Sequence, residues 1–144
     1  MDFRPMTPAD APAVKAMMHD FYTSPAVLSN GSDEIFDRDI AACVGDSPYM
    51  EGYVFLDGDA VVGYAMLAKS FATEFGKNCI WIEDLYLKEG YRGAGRASRF
   101  FSFLKTQFSG CVLRLEVERE NTRAVAAYEK NGFSFLPYDE MILR

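Results

Sequence analysis

Histidine and cysteine are scarce in this chain, one of the first and three of the second among 144 residues. Cys43, Cys79 and Cys111 are odd in number, far apart and without a Cys-x-x-Cys pair, and His19 stands alone. Neither a disulfide framework nor a Cys/His metal cluster is expected; no metal is assigned, and incidental thiols in a reducing cytoplasm are the expectation. Basic charge is also short. Fifteen Lys and Arg against 21 Asp and Glu give a net charge of −6, which argues against nucleic acid as a partner, because phosphate contacts need a basic surface. No stretch approaches the ~20 apolar residues of a membrane helix, and Met1-Asp2-Phe3-Arg4-Pro5 has no apolar run of signal type, so no membrane association is expected. Repeats, linkers and low-complexity segments are absent as well.

What the chain does have is apolar and aromatic material: 49% hydrophobic residues, 12 Phe and 8 Tyr. That composition predicts a folded core, and the length suits one domain over residues 1–144.

Periodicity divides the chain into elements. Phe3 to Met6 reads as a short strand. Thr7-Pro8-Ala9-Asp10 then starts a helix, with Val14, Met17, Met18 and Phe21 as its buried stripe. Tyr22 to Ser32 breaks both periodicities, and Asp33 to Val44 forms a second helix. Strands from Gly52 to Leu56 and Ala60 to Leu67 flank the hairpin turn Asp57-Gly58-Asp59, and Ser70 to Asn78 reads as a looser segment. Ile80 to Leu87 is apolar on both alternating faces except at Glu83-Asp84, as a central strand would be. A helix from Gly95 to Phe108, an alternating strand from Cys111 to Val117 and a helix from Asn121 to Asn131 follow. Gly132 is placed to end that helix with Phe133 folding back on it, and a final hairpin is expected from Phe133 to Leu136 and Glu140 to Leu143. This order predicts an α/β sandwich with helices on its sheet.

Between the central strand and the next helix lies Tyr91-Arg92-Gly93-Ala94-Gly95-Arg96-Ala97. Such a turn can aim several backbone N–H groups at one anion, the helix end adds favourable potential, and glycine carries no Cβ to hold phosphate away. Arg92 and Arg96 add positive charge, with Lys88 at longer range. The Gly-Lys-Ser/Thr ending of a nucleotide P-loop is missing, and the glycine spacing is not that of a dinucleotide fold. From spacing alone, an anion nest and a plain strand-to-helix connection are both open.

Arg92-Gly93-Ala94-Gly95-Arg96-Ala97 resembles the Arg/Gln-x-x-Gly-x-Gly/Ala signature of the GNAT superfamily of N-acetyltransferases at Arg92, Gly95 and Ala97. Downstream, Asn121 to Phe133 resembles that family's Asn-x-x-Ala-x-x-x-Tyr segment followed by Gly-Phe. The resemblance runs from about Phe3 to Leu143 and is sharpest from Trp81 to Phe133. It implies a single mixed, mostly antiparallel twisted sheet flanked by helices, another three-layer α/β domain being the alternative. It also implies acetyl-coenzyme A as acyl donor. Amides around Leu87 and at Arg92, Gly93, Ala94, Gly95, Arg96 and Ala97 would hold its acyl carbonyl and pyrophosphate, with Asn121 on the coenzyme arm and Tyr128 near the sulfur. A homodimer is a further family-based expectation.

Acyl transfer to an amine needs a neutral nitrogen, a polarised carbonyl and a proton for the departing thiolate. Cys111 lies in the apolar half of its strand, so direct attack in a ternary complex is preferred over a covalent route. Tyr128 is the candidate general acid; helical spacing alone would make it core packing. Glu83 is the first candidate to accept the amine proton, and Asp84 to attract or orient a cationic acceptor, which resembles the acidic pair of diamine N-acetyltransferases. Their structural alternative is to accept sheet-edge or loop hydrogen bonds. Glu116 and Glu118 are runners-up, Asn121 has a second reading as a helix cap, and Tyr22 opens a loop that is either acceptor-binding or solvent-facing. Phe71, Phe75 and Trp81 are candidates for an aromatic pocket or for packing. The expected partner is a small, cationic primary amine; a non-catalytic acyl-coenzyme A sensor and transfer to a protein or peptide amine are the alternatives.

Overall fold

Apolar stripes on three helices and the two faces of one sheet set the architecture. In the computed structural model, which describes residues 2–144, β1 (Phe3–Pro5), β2 (Met50–Asp57), β3 (Ala60–Ala72), β4 (Lys77–Leu87) and β5 (Val112–Leu115) form one sheet in the order β1-β2-β3-β4-β5. The first three pairings are antiparallel and β4–β5 is parallel. The mixed, mostly antiparallel sheet that the resemblance implies is therefore present.

One face of the sheet is covered by α1 (Ala11–Tyr22) and α2 (Asp33–Val44). Val14, Met17 and Met18 of α1 and Phe36 and Ile40 of α2 are buried there against Val54, Tyr64 and Met66. A short 3-10 turn at Pro8–Asp10 leads into α1, where the Asp10 carboxylate accepts from the Thr7 N–H at 2.8 Å and from both Arg4 guanidinium nitrogens. That hydrogen-bonded ion pair holds Asp10 down to about 2. Ser32 caps α2, accepting from the Ile35 N–H at 3.2 Å.

The opposite face is covered by α3 (Arg96–Gln107), and α4 (Thr122–Lys130) lies beside it. Phe100, Phe101 and Leu104 of α3 pack on Tyr53, Phe55, Ala65, Leu67, Ile80 and Ile82. Asn121 caps α4 through the Ala124 N–H, and beyond Gly132 the Phe133 N–H returns to the Tyr128 carbonyl at 3.0 Å. The Phe133 ring packs edge-on against Phe101 and Tyr128, as the sequence predicts.

Three expectations are corrected. Ser70 to Asn78 is not loose: β3 and β4 continue their ladder through Ser70↔Cys79 and Ala72↔Lys77, a largely exposed hairpin end whose backbone pairing leaves no apolar alternation to read. The strand expected from Cys111 to Val117 is shorter, because β5 leaves β4 after Ile82↔Leu115. The final hairpin is absent: residues 133–144 form no strand. Side chains anchor that segment instead, Phe135 beneath the Arg119 guanidinium at 4.0 Å and the Tyr138 hydroxyl on Glu74 at 2.8 Å. Pro137, which has no N–H, interrupts any ladder there.

Candidate functional site

The parting of β4 from β5 opens the site. Pairing between them stops at Ile82↔Leu115, while β4 runs on to Leu87 paired only with β3. The Lys88 N–H donates to Val62 of β3 at 2.9 Å, so by strand alternation the N–H groups of Leu85 and Leu87 face the other way, into the gap. Arg92 closes part of that edge, its Nε donating to the Leu87 carbonyl at 2.7 Å while its guanidinium lies over the Tyr86 ring. The Leu87 N–H stays available beside it.

A bulge in β4 sorts the acidic pair. Met66 pairs with Asp84 and Leu67 with Ile82, so Glu83 is an extra residue in the ladder. One added residue inverts the alternation that follows it. Ile80 and Ile82 before the bulge and Leu85 and Leu87 after it all reach the α3 face, whereas Tyr86 reaches the α1 face. Asp84 turns to the α1 face too, 5% exposed, and accepts from the Tyr64 hydroxyl at 2.7 Å and the Tyr22 hydroxyl at 3.0 Å. Glu83 is left facing the cleft, open to solvent at its surface yet partly enclosed by the cleft walls.

That cleft measures about 1140 Å³, and Tyr22, Glu83, Asp84, Glu116 and Tyr128 all line it. Phe75 and Trp81 line it as well, the latter under Arg114, whereas Phe71 is an exposed residue outside it. Burial raises Glu83 above the ordinary carboxylate range, and the charges of Asp84 and Glu140 add to the effect. The neighbouring Glu140 carboxyl, then partial burial and the charge of Glu83, push Glu116 up to about 7. Burial also raises the Tyr128 phenol, keeping it protonated at neutral pH. Together these groups can attract a cation, accept a proton at a carboxylate and donate one from a phenol.

The predicted phosphate turn lies at the end of β4. Gly93 and Gly95 have φ of +80° and +84°, conformations that favour glycine. Among the described residues, none of the N–H groups from Arg92 to Ser98 donates a hydrogen bond within the chain; the first intrahelical bond runs from Arg99 to the Gly95 carbonyl. A Cβ built on Gly93 would meet nothing within 4 Å, so the space beside the turn is open. A row of unpaired amides at a helix start, with room beside it, suits the pyrophosphate of a coenzyme. The arginine side chains are committed elsewhere: Arg96 to the Asp57 carboxylate at 3.1 Å and the Leu56 carbonyl at 3.3 Å, Arg99 to Asp2 and to the Ala94 carbonyl. Arg96 and Ala97 thus offer backbone amides to the turn, Asn121 offers the amide side left free by capping, and Leu87 its N–H.

Several neighbours carry no signal in the sequence. Asp39 of α2 is half-buried and raised to about 6, by burial and by the charges of Asp84 and Glu83. Ser98 accepts from Asn131 at 3.2 Å, and Lys105 reaches the Asn131 carbonyl at 3.0 Å, fixing α4 against α3. Arg99 and Glu140 complete the set. Only the three-dimensional meeting of distant segments reveals them.

Comparison with known proteins identifies the family and the fold. A model of the acetyltransferase (GNAT) family matches residues 14–133. Thialysine N-epsilon-acetyltransferase of Bos taurus is 38% identical over 78 residues, 52% of this chain and 45% of that protein, so the match spans less than half of the relative's length. Among solved structures, a possible acetyltransferase from Clostridium difficile 630 superposes with a TM-score of 0.80 at 21% identity, covering 99% of this chain and 96% of the other. AAC(6')-Iy in complex with the bisubstrate analog CoA-S-monomethyl-acetylneamine gives a TM-score of 0.80 at 12% identity, over 99% and 97% of the two chains. These two structural likenesses show the same fold.

Proposed function

Because the chain belongs to the acetyltransferase (GNAT) family, whose acyl donor is acetyl-coenzyme A, we propose that it transfers an acetyl group to the primary amine of a small cation by direct attack in a ternary complex. The observation that carries this reading is the cleft: Glu83, Glu116 and Tyr128 line one space that opens where β4 leaves β5. In the proposal, the amides from Arg92 to Ser98 bind the pyrophosphate, and the Leu87 N–H donates to the acyl oxygen as negative charge grows there. Glu83, raised by its surroundings, takes the ammonium proton directly or through water. Tyr128, held protonated by burial, donates to the departing sulfur.

The acidic lining favours a cationic acceptor, and the Bos taurus relative is named for acetylating thialysine. The test is coenzyme-thiol release over a panel of small mono- and diamines, amino acids, aminoglycosides and peptides, with mass spectrometry of the product. Acetylation of a small cationic amine is expected; binding of acetyl-coenzyme A without release across the panel would leave a sensor, and product on peptides alone would move the acceptor to protein amines.

No helix among the described residues is long and apolar enough to cross a membrane. A reducing cytoplasm is part of the proposal, supported by three free cysteines. So is a homodimer, supported by the exposure of Met141, Ile142 and Leu143 and tested by sedimentation at several concentrations.

A further inference from the structure

The Glu83-Asp84 pair divides its labour in a way the adjacency of the two residues hides. Asp84 is buried, and each of its carboxylate oxygens receives one phenol: Oδ1 the hydroxyl of Tyr22 at 3.0 Å, Oδ2 that of Tyr64 at 2.7 Å. The three residues belong to three elements, α1, β3 and β4, and Tyr64 is fully buried within the sheet. Tyr22 is the last residue of α1, and the stretch that begins at Thr23 supplies Ala26, Val27 and Leu28 to the cleft lining. The far end of that stretch returns to the same place. A Cβ on Gly31 would strike the Phe36 ring at 2.5 Å and come within 3.5 Å of the Tyr22 ring, which itself packs on Phe36 at 5.2 Å. Residues 23–31 are thus a loop closed at both ends on Tyr22, and Tyr22 is fastened to the sheet through Asp84.

We propose that Asp84 is a positioning residue for the acceptor: by holding Tyr22 it fixes the wall formed by residues 23–31, and it leaves Glu83 as the carboxylate of the pair that meets the amine. This rests on the transfer proposed above and deepens it. The affinity for the acceptor, rather than for acetyl-coenzyme A, then depends on a hydroxyl that belongs to the wall's anchor.

The experiment compares Tyr22→Phe with Tyr53→Phe. The first keeps the ring on Phe36 and removes one phenol–carboxylate bond. The second removes the bond from Tyr53 to Glu51, which lies with the Phe3 and Phe100 rings on the opposite face of the sheet. A hydrogen bond to a charged group is worth enough that Tyr22→Phe should raise the acceptor KM by about tenfold, with kcat and the Kd for coenzyme A changed by less than about twofold. Hydrogen exchange of the amides of residues 23–31 should quicken by about tenfold in the same variant. Tyr53→Phe should do neither. Asp84→Asn, which loses one of the two acceptors and the charge, should exceed Tyr22→Phe in both readouts. An unaltered acceptor KM in Tyr22→Phe, or the same rise in Tyr53→Phe, overturns the proposal. If the parent protein acetylates no amine on the panel, the transfer reading fails, while unchanged exchange in residues 23–31 separately overturns the clamp.

Discussion

In the proposed site the donor half, Leu87 with the turn from Arg92 to Ser98, would bind through backbone and lies outside the lining of the acidic cleft, and the acceptor half would bind through side chains. The donor side offers the Leu87 N–H and the amides from Arg92 to Ser98, while Arg92, Arg96 and Arg99 brace the turn against Leu87, Asp57, Leu56, Asp2 and Ala94. A protein of net charge −6 can thereby receive a polyanionic coenzyme without a basic patch, because peptide dipoles at a helix start supply the potential. The acceptor side draws Tyr22, Glu83, Glu116 and Glu140 from four separated stretches of chain onto one space. A ligand that is constant suits a backbone site, and one that differs between relatives suits side chains and loops.

The sharpest way to break this comparison is at Glu83. Glu83→Gln keeps size and hydrogen bonding and removes the base, so the rate should fall by about a hundredfold or more, with the Kd for coenzyme A unchanged. Burial first, then Asp84 and Glu140, raises the Glu83 pKa. The ionised form is the one that accepts a proton, so the parent's rate should fall as pH drops through that raised pKa, above the ordinary carboxylate range. The acid limb should vanish in Glu83→Gln and move to lower pH in Asp84→Asn, which removes one of the charges that raise it. A pH–rate profile of the three proteins checks both. An acid limb persisting in Glu83→Gln would transfer the base to another carboxylate of the cleft, Glu116 being next.

Gly95→Val attacks the donor side alone. The φ of +84° excludes a β-branched residue, and a Cβ there would lie 2.8 Å from the Arg99 guanidinium that braces the Ala94 carbonyl. Coenzyme A affinity, read by calorimetry, should weaken by about thirtyfold for a displaced amide set, with two or more hydrogen bonds misdirected. The pH–rate profile at saturating donor should stay that of the parent. Tyr128→Phe sits at the border of the two halves: its ring packs on Phe101 and Phe133 and survives the change, while the phenolic proton is lost. About a tenfold fall in kcat without change in either KM is expected, provided the thermal midpoint confirms folding.

The two halves also differ in how far they can be read from sequence. The backbone of the proposed donor side is legible because its signals are local: glycines at Gly93 and Gly95, the apolar stripe Phe100, Phe101 and Leu104 behind them, and the stop at Gly132-Phe133 all act within a few residues. Glu83 and Asp84 can be picked out as an acidic pair in an apolar strand, yet their opposite fates cannot. The bulge that separates them is a property of how β4 registers on β3, with Met66 opposite Asp84 and Leu67 opposite Ile82. Arg96 reads as a phosphate-facing cation because its distant acceptor, Asp57 at the end of β2, is invisible in a local window, and Arg92 because a bond to the nearby Leu87 carbonyl leaves no pattern in the sequence. The hairpin expected after Phe133 has a turn former at Pro137 but no strand to pair with once β5 ends at Leu115, and its Glu140 instead lies beside Glu116.

Asn121 is where local and distant readings compete, and two substitutions separate them. Its Oδ1 accepts from the Ala124 N–H at 3.3 Å, which is a helix cap; its Nδ2 has no protein acceptor among the described residues and is the group that a coenzyme arm would use. Asn121→Asp preserves an Oδ1 acceptor, suits the helix start and exchanges the amide donor for a carboxylate charge that also repels phosphate, so stability should stay within a few tenths of a kcal/mol of the parent. Coenzyme A affinity should nevertheless weaken by about fivefold or more, the size of one hydrogen bond plus the added repulsion. Asn121→Ala removes both groups and should lose about 1 kcal/mol of stability in addition to the affinity of that one hydrogen bond. Chemical denaturation and calorimetry on the two variants check the pair of outcomes. Parent-like affinity in Asn121→Asp would reduce Asn121 to a cap and leave the donor side wholly to backbone.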